Sequence, residues 1–278
     1  MSKQKRIYVI AGEASGDLHA SNLMRAVLEE DNSVDFRYWG GDKMMSVQEG
    51  CVKHIKDLAF MGFLEVVMNL RTITKNLSFC KKDIEVYNPD VIIFIDYPGF
   101  NMRIATWAKE RNIPTHYYIS PQIWAWKENR IKAIKRDVDF MYVILPFEKD
   151  FYENKHNFPV TFVGHPLIDA IEDRKNISIE DFRTEHQLSE KPIIALLPGS
   201  RKQEITKMLS IMLSVVSDFP DYQFVIAGAP SQEFEFYEPF LNKQNIKFIS
   251  NKTYDLLSIA NAALVCMESS SSGRLPSC

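Results

Sequence analysis

Apolar and polar positions along this chain alternate between a strand-like and a helix-like period. Residues 6–11, Arg6-Ile7-Tyr8-Val9-Ile10-Ala11, form a short apolar run that predicts a strand. Gly12-Glu13-Ala14-Ser15-Gly16-Asp17 breaks it, and residues 18–30 then place Leu23, Met24, Val27 and Leu28 on one helical face. Residues 36–41 predict a second strand and turn, and Asn88-Pro89-Asp90 ends a preceding helix. Residues 91–95, Val91-Ile92-Ile93-Phe94-Ile95, are apolar on both faces, as a central strand of a parallel sheet is. Further strands are predicted at 114–119 and 140–145, a basic helix lies between them at 127–136, and residues 160–166 close this half. The more polar stretch 171–191 reads as a linker. The pattern then restarts with a strand at 193–197 and a helix at 202–219 carrying Ile205, Met208, Leu209, Met212, Leu213 and Val216. Strands at 222–227, 246–249 and 263–265 and a helix near 254–260 follow. Strand–turn–helix repeated in two halves predicts an α/β protein of two Rossmann-like domains, residues 1–170 and 171–278.

One stretch fits neither period cleanly. Residues 58–70 are apolar almost throughout, and as a helix they would put Phe60, Phe63, Leu64, Val67 and Met68 on one face, with Ile55, Leu58, Met61, Val66 and Leu70 spread around much of the remainder. Lys53, Lys56, Arg71, Lys75, Lys81 and Lys82 flank it. It is either a buried core helix or a greasy pocket that dips into a membrane surface, with lysines meeting anionic lipid.

The composition narrows the rest. With 278 residues, 46% hydrophobic and 25% charged, the chain has room for two ordinary globular domains. A net charge of −3 gives no reason to expect nucleic acid. Cys51, Cys80, Cys266 and Cys278 show no metal-ligand spacing and read as reduced thiols. The apolar run after the basic start is too short for a signal peptide, and no run is long enough to span a bilayer, so the expected location is cytoplasmic.

Candidate chemistry sits at the ends of the predicted strands. The first turn is spaced GxxxG, which is neither a dinucleotide fingerprint nor a P-loop. Glu13 and Asp17 would repel a pyrophosphate there, so the turn reads as a sugar or hydroxyl site, with Asp17 otherwise a helix cap. Asp96 follows the apolar strand 91–95 and is a candidate general base or a helix N-cap. Ser120-Pro121-Gln122-Ile123-Trp124-Ala125-Trp126-Lys127 is an aromatic loop after the next strand. Asp137-Val138-Asp139 has the form of a glycosyltransferase metal motif but directly precedes a strand, and no metal is expected on it. Pro198-Gly199-Ser200-Arg201 links a strand to a helix, where amide groups and a guanidinium meet an anion well.

The runs 12–17, 94–101, 120–127, 145–149, 163–166 and 196–201 occur in this order and together resemble bacterial lipid-A-disaccharide synthase. The resemblance extends to about Val265. It implies the two-domain glycosyltransferase B fold and a Gram-negative, lipid A-making host. It further implies inverting transfer from UDP-2,3-diacylglucosamine to 2,3-diacylglucosamine 1-phosphate at the inner-membrane surface, with neither cofactor nor metal. The family's essential aspartate matches Asp96 and its phosphate-side arginine Arg201, with Glu13 as a further catalytic position. Ser15, Asp17, Asn101, Ser120, Gln122, Trp124, Gly199 and Ser200 are expected to bind substrate, and Phe60, Met61, Phe63, Leu64 and Val67 to meet acyl chains or membrane. Beyond Val265 the family continues with units that hold most of the nucleotide, whereas residues 266–278 here are Ser-rich. The second domain is therefore expected to be truncated and to hold UDP weakly. Two other readings share the pattern: a UDP-N-acetylglucosamine 2-epimerase, which needs no acyl surface, and a lipid-sugar-binding remnant without transfer activity.

Overall fold

The strands form where β-branched and aromatic residues cluster between turn formers, and in the computed structural model they assemble into two parallel sheets. The structure describes all residues except 1–3, 59–69, 169–176, 201, 230–231, 242–245 and 267–278. The chain divides into two units, Met1–Ala170 and Ile171–Cys278.

In the first unit the strands are β1 (Arg6–Ala11), β2 (Asp35–Gly40), β3 (Cys51–His54), β4 (Val91–Ile95), β5 (Thr115–Tyr118), β6 (Phe140–Val143) and β7 (Thr161–Phe162). They lie in the order β3-β2-β1-β4-β5-β6-β7, with every pairing parallel. The helices are α1 (Ala14–Glu30), α2 (Asp42–Met45), α3 (Leu70–Tyr87), α4 (Pro98–Lys109), α5 (Ile131–Asp137) and α6 (Pro146–Asp150). One face of the sheet packs Val9, Ala11 and Ile95 against Ala20 and Met24 of α1. The other packs Ile10, Phe94 and Tyr117 against Ile84, Ile104 and Ile134 of α3, α4 and α5. Both faces of β4 are thus covered, which is why its sequence shows no alternation. Asp83 pins α3 to the sheet, accepting from Tyr8 Oη at 2.8 Å and Arg37 Nε at 2.8 Å.

The second unit carries β8 (Ile193–Leu197), β9 (Gln223–Gly228), β10 (Lys247–Ser250) and β11 (Ala262–Val265) in the parallel order β10-β9-β8-β11. Its helices are α7 (Ile179–Glu185), α8 (Lys202–Ser214), α9 (Phe234–Leu241) and α10 (Thr253–Ile259). The stretch read as a linker is not one throughout. Within it α7 buries Phe182 against Ile193, Ala195 and Val225, and Ser178 caps the helix by accepting from the Asp181 amide. A single apolar anchor among charged residues carries no periodic signal. Of the apolar stretch 58–70, Leu58 is buried in the first core; Phe60, Met61, Phe63, Leu64 and Val67 lie outside the described residues. No described helix is long and apolar enough to cross a membrane.

Candidate active site

In each sheet the strand order reverses once, between β1 and β4 and between β8 and β11. Such reversals open a crevice beyond the carboxyl ends of the strands, where α/β proteins place ligands. Both glycine-bearing turns singled out in the sequence leave the first strand of such a pair.

At the first reversal, the turn after β1 faces the residues after β4. Gly12 cannot carry a side chain, because a Cβ there would overlap the ring of Tyr97. Tyr97 lies half-buried over this turn and stacks on Phe100 with ring centroids 5.6 Å apart. Glu13 precedes α1 and caps it with no side-chain bond, which leaves its exposed carboxylate at the mouth beside exposed Ser15. Asp96 and Tyr97 both take left-handed backbone conformations, with φ of 43° and 50°. Tyr97, and not Asp96, is the residue that caps α4, so the reading of Asp96 as an N-cap falls away. Burial, reinforced by the charge of Glu13, pushes the Asp96 carboxyl up to about 6, against a smaller opposing pull from the nearby Tyr97 amide. A carboxyl so placed is ionised at neutral pH yet basic enough to take a proton.

Several predicted substrate contacts turn out to hold the protein together. Asp17 is buried and accepts from the Gly41 amide at 2.7 Å, Lys43 at 3.1 Å and Met44 at 3.1 Å. It therefore caps α2 and not its own helix, and its oxygens are committed to amides. Asn101 is fully buried, and its Nδ2 donates to the Asp96 carbonyl at 2.7 Å. Ser120 is also buried, donating to Glu148 Oε1 at 2.6 Å, and Trp124 Nε1 donates to the same oxygen at 3.1 Å. Glu148 Oε2 accepts from the Ile144 and Leu145 amides at 3.1 and 2.8 Å. The aromatic loop is thus tied to the start of α6, and of Ser120, Gln122 and Trp124 only Gln122 is exposed. The Asp137-Val138-Asp139 motif is likewise occupied. Asp137 accepts from Thr106 Oγ1 at 2.6 Å and pairs with Arg136, and Asp139 pairs with Lys109 at 2.6 Å. No group of three or more potential metal ligands occurs among the described residues.

At the second reversal, Gly199 sits at φ 107°, where a side chain would be strained and would press on Glu204 Oε2 at 2.8 Å. The Ser200 amide donates to that oxygen at 3.3 Å. Arg201 lies outside the described residues.

The sequence reading missed Tyr97, Tyr117, Glu148 and His19. His19 is buried on α1 with its Nδ1 unpartnered among the described residues, and burial together with His165 holds its pKa low. Tyr117 had a legible signal, an inward position on β5 one strand from Asp96, since its neighbours His116 and Tyr118 face the opposite side.

Comparison with known proteins places this geometry. Residues 7–270 match the profile of the Lipid-A-disaccharide synthetase family. The chain is 38% identical over 265 residues to the lipid-A-disaccharide synthase of Coxiella burnetii, covering 94% of this chain and 69% of that one. It is 35% identical over 268 residues to that of Syntrophus aciditrophicus, covering 94% and 70%. Among solved structures, the UDP-GlcNAc 2-epimerase of Neisseria meningitidis superposes with a TM-score of 0.67 at 14% identity, over 95% of this chain and 78% of that one. A glycosyltransferase of Rickettsia africae gives 0.52 at 14%, over 94% and 72%. At that identity the two structures show the shared fold alone, the glycosyltransferase B type. The sequence match reaches nearly the whole chain and includes both strand-end turns, and by it the chain belongs to the lipid-A-disaccharide synthase family.

Proposed function

We propose that the chain joins UDP-2,3-diacylglucosamine to 2,3-diacylglucosamine 1-phosphate, with Asp96 as the general base. The observation that carries the reading is the Asp96 carboxyl, partly buried after β4 at the sheet reversal, beside Glu13 and raised to about 6. In the proposed step the acceptor hydroxyl oxygen forms a bond to the anomeric carbon of the donor as its proton passes to Asp96. The bond from that carbon to the diphosphate oxygen breaks on the opposite face, and UDP leaves with the electron pair. Arg201 and the amides of the turn at Gly199 and Ser200 would hold the charge growing on the diphosphate, a type of interaction typically worth about 3–4 kcal/mol per donor. Glu13, whose charge adds to burial in keeping Asp96 basic, and Ser15 line the sugar side. The apolar stretch 58–70, on its sequence, would take acyl chains at the inner-membrane surface.

Asp96→Asn tests this. It keeps the shape and removes the base, so turnover is expected to fall at least about a hundredfold while donor binding holds. Near-normal turnover in that variant would remove Asp96 from the mechanism. The epimerase reading has only low-identity fold likeness behind it and gains no observation here.

A further inference from the structure

Around the aromatic loop the surface cations fall into two sets. Lys109 pairs with Asp139 at 2.6 Å, Arg136 with Asp137 at 2.6 Å and Lys155 with Glu128 at 2.8 Å. Lys127, Arg130 and Lys149 have no carboxylate partner among the described residues. Glu128 stands between Lys127 and Arg130 in sequence, yet His156 Nε2 at 3.0 Å joins Lys155 on it, and Asp150 accepts from Asn154. Two of the unpaired cations lie on an aromatic ring instead. Lys127 Nζ is 4.4 Å from the centroid of the Trp126 ring and the Arg130 guanidinium carbon 5.6 Å. Trp126 is nevertheless 49% exposed. A second exposed aromatic, Phe147 at 48%, stands edge-on to Trp124 with centroids 4.9 Å apart. Trp124, two positions from Trp126, is bound to the buried Glu148 carboxylate of α6. Both exposed rings thus project from backbone that Glu148 holds in place.

An exposed apolar ring by itself needs no explanation. Two of them on one braced base, accompanied by unpaired cations, have the composition of a surface that enters a lipid–water interface. The loop follows β5 and α6 follows β6. These strands run parallel to β4, with Ile95 opposite Tyr118 and Tyr118 opposite Tyr142, so the patch lies along the same strand-end edge as Asp96. We propose that Trp126 and Phe147, with Lys127, Arg130 and Lys149, dock this edge of the first unit onto an anionic bilayer. The rings enter the headgroup boundary and the cations meet lipid phosphates. A cation lying on an indole can exchange the ring for phosphate without breaking an ion pair. The surface is formed without the stretch 58–70. As a route to substrate it rests on the proposed function, in which both sugars carry acyl chains and so reside in a membrane.

The test is flotation of the full chain with vesicles of phosphatidylcholine, with and without phosphatidylglycerol, and with acyl-brominated lipid as a quencher. Binding is expected where phosphatidylglycerol is present and is expected to weaken as salt rises. The double variant Lys127→Ala, Arg130→Ala should bind about fivefold more weakly for each charge removed. Trp126→Ser with Phe147→Ser should float poorly at any salt. Trp39 and Trp107 are buried in the core, so bromine quenching is expected in the wild-type chain and largely lost in Trp126→Phe, a change mild enough to keep the fold. Absence of vesicle binding, binding undiminished in the folded variants, or quenching unchanged in Trp126→Phe overturns the surface. So does loss of self-association in place of vesicle binding in Trp126→Ser with Phe147→Ser, which would make a second copy the occupant. The two readings fail separately. Vesicle binding through this patch by a chain that makes no disaccharide leaves the surface standing and sinks the function; disaccharide made by a chain that binds no vesicles does the reverse.

Discussion

Asp96 carries a stability consequence of definite sign. Its carboxyl titrates near 3.9 in an unfolded chain and at about 6 in the folded one. The protonated form thus favours folding, and its contribution is full below pH ~3.9 and lost as pH rises through about 6. Two pH units correspond to on the order of 2–3 kcal/mol. We expect Asp96→Asn, which cannot ionise, to flatten the decline of stability between about pH 4 and pH 6.5, read by urea unfolding across that range; a parallel decline in both proteins would show that the carboxyl is not strained by burial. Asp96 was legible in the sequence because it ends a strand apolar on both faces. Asp17, Asn101 and Ser120 stand in equally suggestive turns, and in the fold their side chains are held by protein partners. Asp17 meets amides 24 to 27 positions downstream and Ser120 a carboxylate 28 positions away. Only folding brings these together, so a local reading could not separate a substrate contact from a cap.

The aromatic loop 120–127 and helix α6 form one device through Glu148. The carboxylate is 1% exposed and collects the Ser120 hydroxyl, the Trp124 indole and the Ile144 and Leu145 amides. Glu148→Ala strands these buried donors and is expected to cost about 2–4 kcal/mol, with the Trp124 emission moving to longer wavelength as its anchor is lost. Unchanged denaturant midpoint and emission would mean that the loop is held by packing alone. The acidic motif at 137–139 is a second such device. Because both carboxylates hold strands and helices in place, Asp137→Asn is expected to lower the melting temperature, and chelator is expected to leave turnover unchanged; a manganese requirement would contradict that assignment. Strands were the legible elements, since β4, β8 and β9 are dense runs of β-branched and apolar residues between turn formers. Helices α4 and α9 were not, because α4 opens on Pro98-Gly99 and α9 contains Pro239, both of which read as breaks. Pro98 stands at the first helical position, where its missing N–H costs nothing.

The two sheets repeat one plan: a first strand, a turn without bulk, and a reversal of strand order at that turn. That plan explains why the chemistry-bearing residues lie far apart in sequence yet at equivalent places in their own units. It is also shared with enzymes of different chemistry, as the epimerase likeness at 14% identity shows. The fold therefore positions a site without choosing its reaction, and in the function proposed above that choice falls to Asp96, Glu13 and the turn at Gly199. The decisive assay is product analysis with radiolabelled UDP-2,3-diacylglucosamine at high donor concentration, with and without 2,3-diacylglucosamine 1-phosphate. The predicted result is label in an acylated disaccharide 1-phosphate together with released UDP, only when the acceptor is present, and none in Asp96→Asn. Disaccharide formation undiminished in Asp96→Asn, or an epimerised nucleotide sugar formed without acceptor, would contradict it.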